Sequence, residues 1–232
     1  MWRSPCHVLV LLAENTPVTT VTHLCGWPST SAFISIPVVS FPVTCRIDVE
    51  WAQSVARSKL QHALPRRWSH SQGVARAAES LATIVGNDND LLWAAAVLHD
   101  VGYAPDLALT GFHPLDGARF LRDQHGADEQ LTRLVANHSC ALLEAEERGL
   151  RRELESEFPL PDNDLLVDAL IYADMTTTPD GSPTTPSARI AEIIGRYGPD
   201  TLVGKFIQRA QPQIMAAATR IEQAMTDQPR YG

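Results

Sequence analysis

Apolar residues recur every three to four positions from about residue 47 to the C-terminus, which is the spacing of amphipathic α-helices. The clearest run consists of Val74, Ala77, Ala78, Leu81, Ile84 and Val85. The same periodicity predicts helices in DVEWAQSVARSKLQHAL, DEQLTRLVANH, DNDLLVDALIYAD, ARIAEIIGRY and the last segment around Pro212. No convincing strand pattern interrupts these segments. We therefore predict an all-α fold.

Residues that favour helix ends and turns separate these segments. Asn89 or Asp90 is predicted to cap the apolar helix LLWAAAVLH, and Ser187 the helix ARIAEIIGRY. Pro114 suits the first position of a helix that Gly126 ends. TTTPDGSPTTP is predicted to be a loop. LLEAEERGLRRELESEF carries many charges of both signs and is predicted to be a solvated helical excursion, with a lid over a site as the alternative.

The first 45 residues have a different character. They hold only two charged side chains, Arg3 and Glu14, five prolines, and no sustained helical period. We predict a poorly ordered N-terminal extension over residues 1–45 and a helical domain with C-terminal helices over residues 46–232. The short apolar stretch near the N-terminus lacks a good cleavage site, so secretion is not favoured. No apolar run reaches the roughly 18 residues that a membrane span needs.

Charge and cysteine content narrow the classes of partner. The formal net charge of -8 disfavours a protein that coats long nucleic acid or an anionic membrane. It leaves room for a small phosphate substrate in a local positive pocket. The four cysteines form no C-x-x-C pair, which is typical of free thiols in a reducing compartment. We therefore expect a cytoplasmic protein.

Several polar residues extend apolar helix faces, where burial is costly without a partner. They are His70, His99, Asp100, His113, His138 and Asp174. Each histidine alone is most simply a core residue bonded to a carbonyl group, and Asp174 alone could be a helix-end group. Together, four imidazoles and two carboxylates suit a first-row divalent metal. The remaining histidines, at positions 7, 23, 62 and 125, lie outside this pattern and are predicted to have no role in the site.

The order of these residues resembles the HD-domain superfamily of metal-dependent phosphohydrolases. HDVGYAP is similar to the H-D-[IV]-G element, FHPLDGARFL to a segment that supplies an extra histidine, ANHS to H-[ST], and LIYAD to the final A-D. The resemblance implies a helical HD-domain bundle with two divalent metal ions, iron or manganese being favoured. It implies that His70, His99 and Asp174 hold one ion, that His113 and His138 hold the other, and that Asp100 bridges both.

The resemblance also implies an activity. We expect cleavage of a small, nucleotide-like phosphoester or phosphoanhydride by a metal-bridging hydroxide, with no long nucleic acid or membrane as partner and a homodimer allowed. Arg67 matches an arginine of the branch that hydrolyses diadenosine tetraphosphate, and would offset charge on the phosphoryl group. Gly102-Tyr103 and HSCALLEAE depart from that branch, so its substrate does not carry over.

Further substrate contacts and other functions stay open at this point. Arg119 is either a second anion contact or a surface arginine, and Tyr103 and the threonines at 176–178 are candidate substrate contacts. The same six ligands also serve mixed-valence di-iron oxygenases of this superfamily. A third reading is a ligand-sensing HD module without catalysis.

Overall fold

The computed structural model describes residues 47–227. Within this range the regular structure is helical, with one isolated bridge between Thr177 and Pro183, and the all-α prediction is confirmed. The α-helices are α1 (Val49–Leu60), α2 (Pro65–Glu79), α3 (Ala82–Val85), α4 (Asn89–Leu98), α5 (His113–His125), α6 (Glu129–Asn137), α7 (Ala141–Arg148), α8 (Arg151–Glu157), α9 (Asp164–Met175), α10 (Pro186–Tyr197) and α11 (Leu202–Asp227). Short 3₁₀ helices span Gly86–Asp88, Val101–Tyr103 and His138–Cys140. The extension predicted for residues 1–45 lies outside the described residues, as do His7 and His23.

Several helix ends follow the sequence signals. Asp48 accepts a bond of 2.9 Å from the backbone N–H of Trp51 at the start of α1. Asp128 does the same for α6, accepting a bond of 2.8 Å from the backbone of Gln130. Pro114 lies in the first turn of α5, and Gly126 ends that helix with φ 57°, a conformation that glycine adopts without a Cβ penalty.

Three local predictions were wrong. α4 begins at Asn89 after a 3₁₀ turn, so neither Asn89 nor Asp90 caps it. At α10, Thr185 rather than Ser187 caps the helix, accepting a bond of 3.2 Å from the backbone N–H of Ala188. The periodic run through residues 74–85 forms two helices, because a tight turn bonds the Leu81 N–H to the Ala78 carbonyl and breaks the helix there. Apolar periodicity survives such a break, since both helices pack on the same core.

Helix α4 lies in the centre of the main core. It packs against α1, α2, α6 and α9, and its apolar side chains are buried except for the half-buried Trp93. A helix that is hydrophobic all round is expected only where other helices surround it. This explains why LLWAAAVLH shows almost no polar position.

A second apolar cluster joins the C-terminal helices. Side chains of α9, α10 and α11 pack together there, among them Met175, Ile193 and Phe206. α11 runs over 26 residues with Pro212 in its interior. Among the described residues, no helix combines the length and apolar character needed to cross a membrane.

Close backbone contact fixes the start of α5 against the segment after α4. A Cβ added to Gly102 would lie 2.1 Å from the carbonyl oxygen of His113 and 2.5 Å from the backbone nitrogen of Gly117. Only glycine fits at position 102 without displacing that backbone. Gly102 and Gly117 therefore allow α5 to pack closely against this segment.

Candidate metal centre

The structure brings together the six histidine and aspartate residues singled out in the sequence. His70 comes from the middle of α2, His99 and Asp100 from the end of α4, and His113 from the start of α5. His138 follows α6 directly, and Asp174 lies in the last turn of α9. All except the half-buried His113 are buried. Five helices, α2, α4, α5, α6 and α9, thus bring their polar groups to one place.

A first group of side chains surrounds His99. Its Nε2 atom lies 3.3 Å from Asp100 Oδ2 and 3.9 Å from Asp174 Oδ1. His70 Nε2 lies 2.9 Å from Asp174 Oδ1 and 3.9 Å from Asp100 Oδ2. Two imidazole nitrogens and two carboxylate oxygens therefore face one small volume.

A second group lies on the other side of the same carboxylate. His113 Nε2 is 3.4 Å from Asp100 Oδ1 and 3.1 Å from His138 Nε2. Candidate ligand atoms of Asp100, His113 and His138 all lie within 4.8 Å of one another, as do those of Asp100, His70 and His99. Asp100 belongs to both groups, and its two oxygens face different ones.

Backbone carbonyls orient three of the imidazoles for metal binding. The Nδ1 atoms of His70, His99 and His138 lie 2.9, 2.7 and 2.6 Å from the carbonyl oxygens of Thr178, Ala96 and Val135. A neutral imidazole that donates from Nδ1 presents a lone pair on Nε2, which is the arrangement of a metal ligand. His99 Nε2 is buried and has no hydrogen-bond partner among the described residues. The donor set therefore fits a divalent metal, whose charge would compensate these buried groups.

Electrostatics keep the two carboxylates anionic without a metal. Burial opposes the charge on Asp100, but Arg67 and His99 outweigh it and hold the pKa of Asp100 well below its usual range. Burial likewise opposes the charge on Asp174, and the bond from His70 and the charge of His99 lower its pKa. Both side chains are therefore ready to bind a cation at neutral pH.

The imidazoles differ among themselves in the metal-free protein. Burial disfavours the charged form of His99, but Asp100 overcomes this and raises the pKa of His99 to about 9. Burial and the charge of His99 lower the pKa of His138 to about 4, and burial holds that of His113 well below its usual range. At neutral pH His99 is protonated, so a metal ion that binds its Nε2 must displace that proton.

Comparison with known proteins agrees with this site. The profile of the HD domain family matches residues 67–197, more than half of the chain. The chain belongs to the HD domain family. It is also similar to Ribonuclease Y of Rhodopirellula baltica (strain DSM 10527 / NCIMB 13988 / SH1), with 32% identity over 129 residues. That match covers 55% of this chain and 20% of Ribonuclease Y, so the chain spans about a fifth of the relative's length. No solved structure matches the chain.

Ser139 supports the HD-domain site in a way that the sequence did not indicate. Its hydroxyl donates to Asp174 Oδ2, the carboxylate oxygen that does not face His70. Ser139 and Cys140 have φ values of 48° and 63°, in the left-handed region that non-glycine residues rarely adopt. The motif ANHS places this serine beside His138, but only the fold shows that it bonds to Asp174.

Arg67 and Tyr103 form one wall of the site. Arg67 Nη1 lies 2.8 Å from Asp100 Oδ2, and its guanidinium lies 3.9 Å from the centre of the Tyr103 ring. The Tyr103 ring also stacks on the His113 imidazole, with ring centres 3.9 Å apart and nearly parallel planes. The arginine predicted to act in catalysis thus contacts the central carboxylate directly.

A cavity opens from the two groups of ligands. Four arginines line it, namely Arg67, Arg148, Arg189 and Arg196. Apolar side chains of α10 and α11 form part of its wall, including Ile193, Phe206 and Ile207. Glu144 also lines it and forms an ion pair of 2.6 Å with Arg148. The cavity wall thus holds four arginines beside three carboxylates, those of Asp100, Glu144 and Asp174.

Two of the candidate substrate contacts lie outside the cavity wall. Arg119 pairs with Glu153 and Glu157 of α8 and does not line the cavity, so it is the surface arginine of the two alternatives. The threonines at 176–178 do not line the cavity either. The carbonyl of Thr178 accepts the bond from His70, and the buried Thr177 hydroxyl donates to the Ala173 carbonyl at 2.8 Å. Thr178 thus supports His70, and Thr177 supports the end of α9.

The charged segment after His138 is only partly solvated. It splits into α7 and α8 at Gly149, and it places Leu154 and Phe158 in the core. Glu144 and Arg148 of α7 lie in the cavity wall.

His62 and His125 are exposed, as expected for residues outside the site. Cys140 is a free thiol, and burial raises its pKa to about 12.

Proposed function

We propose that this protein is a metal-dependent phosphohydrolase that cleaves a small phosphoester or phosphoanhydride with two divalent metal ions. The observation that supports this most is the position of Asp100, whose two oxygens face two different groups of imidazoles. One metal ion would need only one such group. Membership of the HD domain family supports the same class of reaction.

Each residue of the site has a distinct task in this proposal. His70, His99 and Asp174 would hold the first ion, His113 and His138 would hold the second, and Asp100 would contribute to both. Mixed imidazole and carboxylate ligands suit Mn²⁺ and Fe²⁺. When bound, such ions lower the pKa of water and polarise phosphoryl oxygens.

Arg67 supplies a fixed positive charge next to the reacting group. Its ion pair with Asp100 uses Nη1, and a guanidinium has further N–H donors for a phosphoryl oxygen. Stacking on Tyr103 holds the guanidinium plane at the edge of the cavity. Charge that develops on the phosphoryl oxygens would be stabilised without rearrangement of the side chain.

The shape and charge of the cavity favour a small substrate. Its volume of about 110 Å³ is well below the roughly 300–1,000 Å³ of sites that enclose a drug-sized ligand, so it suits the phosphoryl end of a molecule. The net charge of -8 disfavours long nucleic acid. Small nucleotides are the first class to test. Similarity to Ribonuclease Y makes an RNA oligonucleotide the necessary comparison.

The test is a phosphate-release screen over mononucleotides, dinucleoside polyphosphates and sugar phosphates, with Mn²⁺, Fe²⁺, Co²⁺ and Mg²⁺ in turn. An RNA oligonucleotide is assayed in parallel for cleavage. We expect turnover of a small phosphate compound, two metal ions per chain by elemental analysis, and loss of mainly the second ion in His113→Ala and His138→Ala. A metal content of one ion per chain that neither substitution changes would contradict the two-metal proposal.

Other outcomes would replace the proposal. If no phosphate compound is cleaved with any metal, while the iron-loaded protein consumes O₂ with an organic substrate, the protein is an oxygenase. If the fully metallated protein does neither, a sensing role replaces catalysis. Efficient cleavage of RNA with no action on small compounds would overturn the proposed substrate class.

A further inference from the structure

Helix α10 presents a buried arginine to the cavity. Arg189 is only 6% exposed, yet it lies in the cavity wall together with Asp174 and Arg67. Taking a guanidinium out of water costs free energy unless charge partners and hydrogen bonds replace the water. The partners of Arg189 are therefore informative.

Those partners are incomplete. Nη1 of Arg189 pairs with Glu192 on the same helix, but the buried Nε has no hydrogen-bond partner among the described residues. Glu192 also binds Arg196, whose Nε lies 3.3 Å from its Oε1. One carboxylate is thus shared by two arginines that both line the cavity, and this wall keeps an excess positive charge.

Arg189 and Arg196 of α10 form an arginine wall, which faces the same cavity as the candidate metal ligands. Both Arg189 and the ligand Asp174 line it, and the positive charge of Arg189 contributes to the lowered pKa of Asp174. Apolar side chains such as Ile193 and Phe206 line the same cavity. A charge in such surroundings acts more strongly on an anion than it would in bulk water.

We propose that Arg189 recognises a second anionic group of the substrate, next to the phosphoryl group that binds at the metal ligands. The substrate is then a compound with two adjacent anionic groups, such as a diphosphate or a phosphate that carries a carboxylate. The identity of the first group rests on the proposed phosphohydrolase function, whereas recognition of the second group is a binding property of α10. The carboxylate of Glu192 orients the Arg189 guanidinium and weakens the attraction of the guanidinium for the anion.

A purely structural role for Arg189 gives different expectations. If the Arg189–Glu192 pair only stabilised α10, removal of either partner would lower the melting temperature and change ligand binding in the same direction. If Arg189 binds an anion, the two substitutions act in opposite directions. Arg189→Gln removes the charge, while Glu192→Gln removes its competitor and leaves the arginine.

The experiment is isothermal titration calorimetry of the metal-loaded protein with methylenediphosphonate and methylphosphonate, neither of which contains a hydrolysable phosphoester or phosphoanhydride bond. The quantity of interest is the ratio of the two dissociation constants. We expect Arg189→Gln to reduce the preference for the diphosphonate roughly tenfold or more, as for a hydrogen bond to a charged group. Glu192→Gln should increase it. Arg152→Gln, which changes an exposed arginine outside the cavity wall, serves as the matched control.

Two further titrations separate this proposal from the proposed function. Phosphonoacetate, which joins a phosphonate to a carboxylate, shows whether the second group must be a phosphate. The EDTA-treated protein shows whether the preference depends on metal. Equal losses in Arg189→Gln and Glu192→Gln, or an unchanged ratio in Arg189→Gln, would overturn the role of Arg189. The same titrations remain informative if no phosphate compound is hydrolysed, because they measure binding alone.

Discussion

The cavity has two walls that are held in place by different means. On the side of α2, α4 and α6, backbone carbonyls orient His70, His99 and His138 through their Nδ1 atoms. On the side of α7 and α10, carboxylates one helical turn away hold Arg148 and Arg189. The first wall is rigid because its anchors belong to the fold itself. The second wall is adjustable, because a ligand can compete with a side chain for the same arginine.

In the proposed function, one wall binds metal and the other recognises the substrate. Imidazoles bonded to the backbone cannot turn away from the centre without losing a buried hydrogen bond, so they suit an ion that needs fixed geometry. Arginines shared with carboxylates tolerate exchange of one anion for another. Arg67 lies where the walls meet, since it contacts both Asp100 and the cavity.

Substitution of the central carboxylate is expected to have the largest effect. Asp100→Asn keeps the volume of the side chain but removes its charge, which leaves two cations opposed and uncompensated. We expect phosphate release to fall by more than about 10³-fold, beyond the loss of a single electrostatic donor. Elemental analysis should show loss of most of the metal, and Asp100→Ala should behave alike. Retention of both ions in Asp100→Asn would contradict the bridging role.

Arg67→Ala should show that activity and metal content can be affected independently. The arginine is not a metal ligand in the proposal, so metal content should stay unchanged while kcat falls by about 10²-fold to 10³-fold. Arg66→Ala is the matched control, because Arg66 is the adjacent residue, is exposed, and pairs with Asp180 at 2.8 Å. It should leave kcat and metal content alone. A loss of metal in Arg67→Ala comparable to the loss of activity would show that Arg67 acts on the ligands only.

The proton on His99 should make the stability of the metal-free protein depend on pH. The pKa of His99 is raised to about 9 in the folded state, against about 6.5 when unfolded, so its contribution is complete below pH 6.5 and disappears as the pH rises through 9. The difference is on the order of 3 kcal/mol in the free energy of unfolding. Urea unfolding of the EDTA-treated protein at pH 6 and pH 9.5 measures it. His99→Gln lacks the proton and should show little of this change. An equal change in both proteins would assign it to other groups.

The metal-binding wall could be predicted from the sequence, for a physical reason. Its residues interrupt apolar stripes, as His138 does after Leu134 and Val135, and buried polar groups on an apolar face require a partner. The HD-like motifs then placed them in order. The all-α class followed from periodicity alone, because each helix buries one face and α4 is buried all round.

The arginine wall could not be predicted in the same way. Arg189 lies 15 positions after Asp174, in a helix whose charged residues look like an ordinary solvated face. Only the packing of α10 on α9 and α11 turns that residue inward. Arg119 shows the opposite case, since it lies near ligands in the sequence but pairs with α8 on the far side of its helix. Packing between helices that are distant in sequence decides whether an arginine faces the cavity. The pattern of a single sequence does not contain that information.

The smallest expected effect concerns the support of Asp174. Ser139→Ala removes the hydroxyl that donates to Asp174 Oδ2, which leaves the carboxylate less firmly oriented toward His70 and the first ion. Loss of such a supporting bond typically weakens metal binding about tenfold to a hundredfold. We expect the lower end, because the carboxylate keeps its contact with His70, and competition with a fluorescent chelator measures the change.

Two matched variants isolate the cause of that effect. Ser139→Gly also removes the hydroxyl but relieves the left-handed backbone at φ 48°, so it should match Ser139→Ala in metal affinity and exceed it in melting temperature. Ser71→Ala removes a buried hydroxyl next to His70 that has no hydrogen-bond partner among the described residues, and it should leave metal affinity unchanged. If Ser71→Ala weakened metal binding as much as Ser139→Ala, packing near the ligands would explain both results. If Ser139→Gly restored wild-type affinity, backbone strain rather than the bond to Asp174 would be responsible. Equal weakening in the two variants of Ser139 alone would show that the rigidity of the metal-binding wall extends to side chains that bind no metal.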